Sequence, residues 1–214
     1  MPGIESLTEV LVDELRDLYD AEKRLTKAIP RMAKKAANRK LRAALNNHLK
    51  ETNRQVRRLE QAFRQLGETP RGKACAGMRG IVEEGDEHTG EEFETDALRD
   101  AVIIGSAMRV EHYEMAAYMG AIEHARILGQ SGVRSLLQET LAEEQAADKK
   151  LQAIGQEVNP AAAEAGMEEQ DGGGLSGMLQ RTLGGSQRRG GNRGGGRSRK
   201  SGRKTGRRRA AKKR

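Results

Sequence analysis

The chain has 214 residues, of which 36% are hydrophobic and 2% aromatic, with no tryptophan and one cysteine, Cys75. A core of Leu, Ala, Ile, Val and Met favours packed helices over a β-sandwich. One cysteine excludes an intramolecular disulfide framework and is typical of a cytoplasmic protein. We expect no signal peptide and no membrane insertion, because there is neither a basic start with an apolar run nor an apolar segment of about 20 residues.

The net charge of +8 comes from one end of the chain. Of the 39 lysine and arginine residues, 14 lie at positions 188–214, which contain no acidic residue. The other 25 are outnumbered by the 31 acidic residues, so residues 1–187 carry a net charge of −6. A mildly acidic body and a strongly basic tail are predicted, and their functions are separate questions.

The first predicted helix extends from Ser6 to about Lys35, with Ser6 or Thr8 as its N-cap. Its apolar residues recur at steps of three and four, as on one face of an amphipathic helix. They are Leu11, Leu15, Leu18, Leu25 and Ile29, and Glu22 takes the place that this series leaves open. Pro30 is predicted to kink or end the helix, because proline lacks the backbone donor and clashes with the preceding turn.

The second predicted helix runs from about Arg39 to Leu66, before the helix-ending segment 67–70. Its apolar stripe consists of Leu41, Leu45, Leu49, Thr52, Val56, Leu59 and Phe63. His48, Glu51 and Gln55 form a polar row beside this stripe at spacings of three and four.

Residues 71–95 are predicted to be a long connection and not a hairpin turn. One short helix is expected within it, from about Cys75 to Glu84, before Gly85 breaks the helix. Cys75 is interpreted as a small buried hydrophobic residue.

The third predicted helix runs from Asp96 to about Leu128. Glu111 and Glu114 occupy neighbouring positions on its apolar side, one turn from Tyr118. The apolar residues of that side are Val102, Ile103, Ala107, Val110, Met115, Tyr118 and Ile122.

The fourth predicted helix runs from about Val133 to Gly155, and Asn159–Pro160 closes it. Glu144 and Asp148 lie one turn apart on its apolar face, which includes Leu136, Leu137, Leu141, Ala147 and Leu151. Four helices with two tight links and one long crossover, between the second and third, predict an all-α four-helix bundle.

Three regions are expected along the chain. Residues 1–160 form the bundle, and residues 161–187 form a flexible linker that could include a short helix at 175–183. Residues 188–214 form a disordered Gly/Arg/Lys-rich tail.

Each predicted helix offers acidic or histidine side chains about midway along its inward face. These candidate metal ligands are Glu22, His48, Glu51, Glu111, Glu114, Glu144 and Asp148. Burying a carboxylate as an anion costs several kcal/mol, which a bound cation can offset. Oxygen and imidazole ligands suit iron or manganese, and two metal ions bridged by carboxylates would share the charge. The alternative is chance, because 33% of the residues are charged.

Other polar residues of the third helix are given structural roles. His112 and His124 point away from the inferred core and are interpreted as surface residues. Tyr113 and Tyr118 are interpreted as packing residues, although Tyr118 could instead form a hydrogen bond with a metal ligand.

Residues 5–155 resemble the YciE/YciF family of bacterial ferritin-like proteins. The matching motifs are Tyr-Asp-Ala-Glu-Lys at 19–23, His-Leu-Lys-Glu-Thr at 48–52, Val-Glu-His-Tyr-Glu at 110–114 and Glu-Thr-Leu-Ala-Glu-Glu with Ala-Ala-Asp at 139–148. Lys-Ala-Cys-Ala-Gly-Met at 73–78 is similar to the crossover helix of that family. The resemblance implies a ferritin-like four-helix bundle, a homodimer and a link to bacterial stress responses.

The sequence departs from the wider di-iron pattern, in which Glu-x-x-His occurs on two helices. The second helix has the reverse order, His48-x-x-Glu51, and the fourth has no histidine. Asp148 follows Glu144 by four residues, where the pattern places a histidine after three. The site could therefore hold iron or manganese, or could have become structural.

The basic tail is predicted to bind DNA or RNA without sequence specificity, because it has positive charge but no aromatic residue that could stack on bases. Its basic residues are Arg188, Arg189, Arg193, Arg197, Arg199, Lys200, Arg203, Lys204, Arg207, Arg208, Arg209, Lys212, Lys213 and Arg214. The alternatives are a solubility tail or a partner for acidic proteins or anionic lipid.

The leading hypothesis from the sequence is a cytoplasmic stress protein with a dinuclear metal site, tethered to nucleic acid and therefore nucleoid-associated. Iron oxidation, peroxide removal and a manganese catalase-like activity all fit this site. The main alternative is a non-enzymatic dimeric bundle with a vestigial metal site that binds DNA or partner proteins.

Overall fold

The computed structural model describes the backbone of residues 3–174 and the side chains of residues 3–164. Five helices and no strand occur in this part of the chain. They are α1 (Leu7–Lys35), α2 (Arg39–Gln65), α3 (Ala76–His88), α4 (Asp96–Ile127) and α5 (Ser131–Gly174). Helices α1, α2, α4 and α5 form the predicted bundle, and α3 lies within the crossover. No helix within residues 3–174 is both long and apolar enough to span a bilayer.

Local sequence signals determine the start of α1 and the end of α2. The hydroxyl of Ser6 accepts a hydrogen bond from the Glu9 amide, which confirms Ser6 as the N-cap of α1. Gly67 follows α2 with a φ of 73°, a left-handed conformation that glycine adopts without a steric penalty. The Gly67 amide donates to the carbonyl of Arg64, and the next amide donates to Phe63. This Schellman arrangement satisfies the last carbonyls of α2.

Pro30 does not end α1, which reaches Lys35 as predicted. The alternative, that Pro30 kinks the helix, stays a prediction. Two other expected helix breaks are wrong. Helix α3 continues through Gly85 to His88. Helix α5 continues through Pro160 and reaches Gly174. A glycine costs a helix about 1 kcal/mol and a proline about 3 kcal/mol, which burial of neighbouring side chains can offset. Val158 and Ala162, on either side of Pro160, are both buried.

The apolar core consists of two clusters. The Leu25 cluster includes Leu25, Leu41, Ile103, Met78 and Leu151. The Leu15 cluster includes Leu15, Phe63, Tyr118 and Leu137. Helices α1 and α5 reach the Leu15 cluster first along the chain, whereas α2 and α4 reach the Leu25 cluster first. The pair α1 and α5 therefore runs opposite to the pair α2 and α4. Because α2 and α4 run in the same direction, the chain between them must return along the length of the bundle, which is the role of the long crossover.

Residues from 175 onward lie outside the described part of the chain. This includes the short helix expected at 175–183 and the basic tail at 188–214. The expected division into body, linker and tail stays a prediction.

Candidate metal centre

A polar layer separates the two apolar clusters of the bundle, and all four long helices contribute to it. Its buried members are Glu22, His48, Thr52, Gln55, Glu111, Glu114, Thr140, Glu144 and Asp148. Each helix enters one apolar cluster, passes this layer and enters the other. The sequence placed acidic or histidine side chains about midway along each of the four helices. In the structure these side chains lie in one layer across the bundle.

Four residues of this layer form a compact group of potential metal ligands. His48 on α2, Glu111 and Glu114 on α4 and Glu144 on α5 each offer a ligand atom, and these atoms lie within 4.8 Å of one another. All four side chains are buried. His48 Nε2 lies 3.2 Å from Glu111 Oε1 and 3.7 Å from Glu144 Oε2.

Most polar atoms of this group lack a hydrogen-bond partner among the described residues. Both carboxylate oxygens of Glu114, both ring nitrogens of His48 and one oxygen each of Glu111 and Glu144 are unpartnered. The short distances from His48 to the glutamates do not have the geometry of hydrogen bonds. A buried polar atom without a partner costs about 1–3 kcal/mol. Carboxylate oxygens and an imidazole nitrogen fit iron or manganese, so the residues present suit such an ion.

Burial raises the pKa of Glu22, Glu111 and Glu114 well above the usual carboxyl value, and neighbouring carboxyl groups add to the shift. Burial also raises the pKa of Glu144. Without a cation, the layer favours protonated carboxyl groups, because several anions cannot share a dry site. A bound cation would favour the ionised forms.

Glu22 of α1 belongs to the layer but lies outside the group of four. Its Oε1 accepts a hydrogen bond of 2.6 Å from the Tyr118 hydroxyl, and its Oε2 has no partner in the described residues. Both side chains are fully buried. Tyr118 therefore has both of the roles that the sequence suggested. Its ring packs in the Leu15 cluster, and its hydroxyl donates a hydrogen bond to a candidate ligand.

Glu51 and Asp148 lie at the edge of the layer and have protein partners. Glu51 accepts a hydrogen bond of 3.0 Å from Asn47, and the neighbouring His48 ring lowers its pKa. Asp148 Oδ1 lies 3.1 Å from Nε2 of His112, and Asp148 Oδ2 accepts from Gln152 at 2.6 Å. Both are outside the group of four. The His112 side chain is 59% exposed, as expected, but its contact with Asp148 was not foreseen.

The structure also reveals a supporting network that sequence reasoning missed. The side-chain amide of Gln55 donates to Glu143 Oε2 at 3.0 Å and to Glu144 Oε1. Arg58 binds Glu143 with contacts of 2.7 and 2.9 Å. The polar row His48, Glu51 and Gln55 continues to Arg58, three residues on, which is the signal that could have indicated this network.

Comparison with known proteins places the chain in a family. Residues 6–164 match the family model described as a domain of unknown function, DUF892. Protein YciF of Escherichia coli (strain K12) is 38% identical over 150 residues, which cover 70% of this chain and 90% of YciF.

Solved structures support the same relationship. YcfI from Rhodopseudomonas palustris is 41% identical, with a TM-score of 0.68 over 70% of this chain and 94% of its own. The E. coli stress protein YciF is 37% identical, with a TM-score of 0.68 over 71% of this chain and 96% of its own. A protein from Xanthomonas campestris pv. campestris, 21% identical with a TM-score of 0.59 over 76% of this chain and 99% of its own, shares the fold. The family model matches well over half of the chain. This protein therefore belongs to the DUF892 family and is a YciF-like member of it.

Proposed function

We propose that the bundle is a metal-binding module whose first ion is held by His48, Glu111, Glu114 and Glu144. The observation that carries this proposal is the set of buried ligand atoms within 4.8 Å of one another, most of them without hydrogen bonds in the described residues. Such a group is costly unless a cation or protons neutralise it. Iron is the first candidate and manganese the second, since both accept mixed oxygen and imidazole ligands.

A second ion is part of the proposal, with Glu22 as an added ligand. Glu22 is fully buried, one of its oxygens has no partner among the described residues, and Glu144 is close enough to influence its pKa. Asp148 would orient the ligands from the edge of the layer, where Glu51 offers a further carboxylate. Iron bound here would supply redox chemistry with oxygen or hydrogen peroxide. The two apolar clusters would exclude water on either side of the layer, and the Tyr118 hydroxyl would donate a hydrogen bond to Glu22 Oε1.

Metal analysis of the full chain tests this proposal. We expect up to two metal ions per chain after aerobic titration with Fe(II), with an absorbance change on oxidation. Glu114→Ala should abolish both, because it removes a ligand with two free oxygens. The control is Glu123→Gln on the exposed side of the same helix. A wild-type protein without bound metal after titration contradicts the proposal.

A non-enzymatic function is the second candidate, and the position of His48 favours it. The His48 ring lies close to Glu51, Glu111 and Glu144, so contacts among these side chains could hold the layer together without a metal. The bundle would then be a structural dimer that binds partners. Melting temperatures separate the two functions, because a chelator should lower the melting temperature of a metal-dependent bundle only. Oxygen evolution from peroxide by manganese-loaded protein would instead identify a catalase-like activity.

We further propose that the basic tail, which lies outside the described residues, tethers the protein to DNA or RNA. Its 14 positive charges without an acidic residue support this proposal. If about half of them neutralise phosphates, the logarithm of the binding constant should fall with the logarithm of salt concentration at a slope of roughly −6. Gel shifts that are unchanged after deletion of residues 186–214 would contradict the tether and a nucleoid location.

A further inference from the structure

A small pocket opens between α2 and α5 and reaches the polar layer. It has a volume of about 130 Å³. Its inner wall contains His48 and Glu111, two of the four proposed ligands. Exposed residues at its outer end include Asn47 and Lys150. The pocket therefore connects the surface of the protein with the candidate metal centre.

The size of the pocket restricts what can occupy it. At about 30 Å³ per water molecule in the liquid, it has room for roughly four waters. A partly hydrated cation fits this space. Small side chains maintain the opening, since Ala44, Ala146 and Ala147 line it.

Two charged residues at the outer part of the pocket act on a cation in opposite directions, Glu51 in favour of its entry and Lys150 against it. The Glu51 carboxylate is 23% exposed and stands beside His48, so it can bind an ion from solvent and pass it to a buried ligand. Lys150 is the lysine among the lining residues and opposes entry of a cation, and Arg54 Nη2 lies 3.8 Å from Glu51 Oε1. Electrostatic steering by such groups changes association rates, and salt screens it.

We propose that this pocket is the route by which a divalent metal ion reaches the centre, with Glu51 as its first ligand and Ala147 as the residue that keeps the passage open. This inference rests on the proposed metal-binding function. It gives Glu51 a role in delivery, which explains why the side chain lies outside the group of four and contacts solvent.

Loading kinetics with Co(II) test the route without relying on enzymatic activity. Metal-free full-length protein is mixed with Co(II), and the loss of free ion is followed with a chelating dye. Ala147→Leu should narrow the passage and slow loading at least tenfold, with the same amount of Co(II) bound at equilibrium. Ala142→Leu, an equal enlargement at an exposed position of α5, should load at the wild-type rate.

Charge substitutions at exposed lysines provide a second, independent test of the route, because they leave the core of the bundle unchanged. Lys150→Glu should speed loading severalfold at low salt and lose this advantage at high salt. Lys149→Glu, the same change at an exposed neighbour outside the pocket lining, should have a smaller effect. Equal rates for the Lys149 and Lys150 variants, or wild-type loading by folded Ala147→Leu, would overturn the route. Failure of the wild-type protein to bind Co(II) at all would instead overturn the proposed function.

Discussion

Gln55 is the residue that links the candidate metal centre to the surface network of α2 and α5. Its side-chain nitrogen faces the carboxylates of Glu143 and Glu144, and its oxygen is buried without a partner among the described residues. The opposite orientation would place the amide oxygen against two carboxylates, so the network fixes the direction of the amide. Gln55 thereby leaves Glu144 Oε2 free to bind an ion.

Gln55→Glu is expected to destabilise the metal-free protein at neutral pH by about 1–3 kcal/mol, because it removes two hydrogen bonds and places a carboxylate against two others. The loss should shrink at low pH, where the new carboxyl group is protonated. Urea denaturation in the presence of a chelator measures the free energy of unfolding. Gln61→Glu, at an exposed position of the same helix, is the control and should change little. A similar loss in both variants would contradict this role of Gln55.

The burial of the acidic residues could be predicted from the sequence, whereas their partners could not. Glu22, Glu111 and Glu144 lie at apolar positions of the helical repeat, and repeat position determines which side of a helix is buried. The bond between Gln55 and Glu144 joins residues 89 positions apart. Such a bond depends on how far α2 and α5 are shifted along each other and how each is rotated about its axis. The pattern of apolar residues within one helix does not determine either quantity.

Among the elements, α3 packs closely against its neighbour at a glycine. Gly77 lies against the ring of Tyr113, and a Cβ atom there would be 2.6 Å from Tyr113 Cε2. The Tyr113 hydroxyl also lies 3.0 Å from Cys75 Sγ and donates to Asp17 at 3.1 Å. Cys75 is buried, as predicted. The glycine thus allows the crossover helix to pack on α4.

Gly77→Ala is expected to lower the free energy of unfolding by about 1–3 kcal/mol, because the added methyl group must displace the Tyr113 ring. Gly80→Ala in the same helix has open space around the new Cβ. It should raise stability by about 0.5–1 kcal/mol, since alanine favours the helix. Chemical denaturation of the two variants measures this difference. Equal effects of the two substitutions would show that α3 does not depend on the close approach to Tyr113.

Helix positions and the crossover could be predicted from apolar periodicity, but the ends of α3 and α5 could not. Gly85 and Pro160 were interpreted as helix ends from local propensity. Propensity is a small energy, and the burial of Val158 and Ala162 around Pro160 outweighs it. At Gly67, the local signal for the end of α2 was correct.

For the whole molecule, the buried carboxyl groups couple folding, pH and metal binding. Burial raises the folded-state pKa of Glu22, Glu111, Glu114 and Glu144 above the unfolded value of about 4.3. Below the unfolded-state pKa, all four carboxyl groups are protonated, and their full contribution to the stability of the metal-free fold is present. This contribution is lost as the pH rises through the folded-state pKa values. Metal binding requires the ionised groups, releases protons and becomes tighter as the pH rises.

The melting temperature of chelator-treated protein is therefore expected to fall from about pH 5 to pH 8, while the metal-loaded protein changes less. The difference in melting temperature between the chelator-treated and the metal-loaded protein should widen across this pH range, as measured by thermal unfolding at fixed ionic strength. Glu114→Gln places a side chain that is neutral at every pH in the layer. It should reduce both the fall in melting temperature with pH and the difference between the two forms. Glu123→Gln, at an exposed position, should leave both unchanged. A chelator-treated protein with equal stability at both pH values would mean that the polar layer stays neutral without a metal, and the bundle would then have no need of a cation.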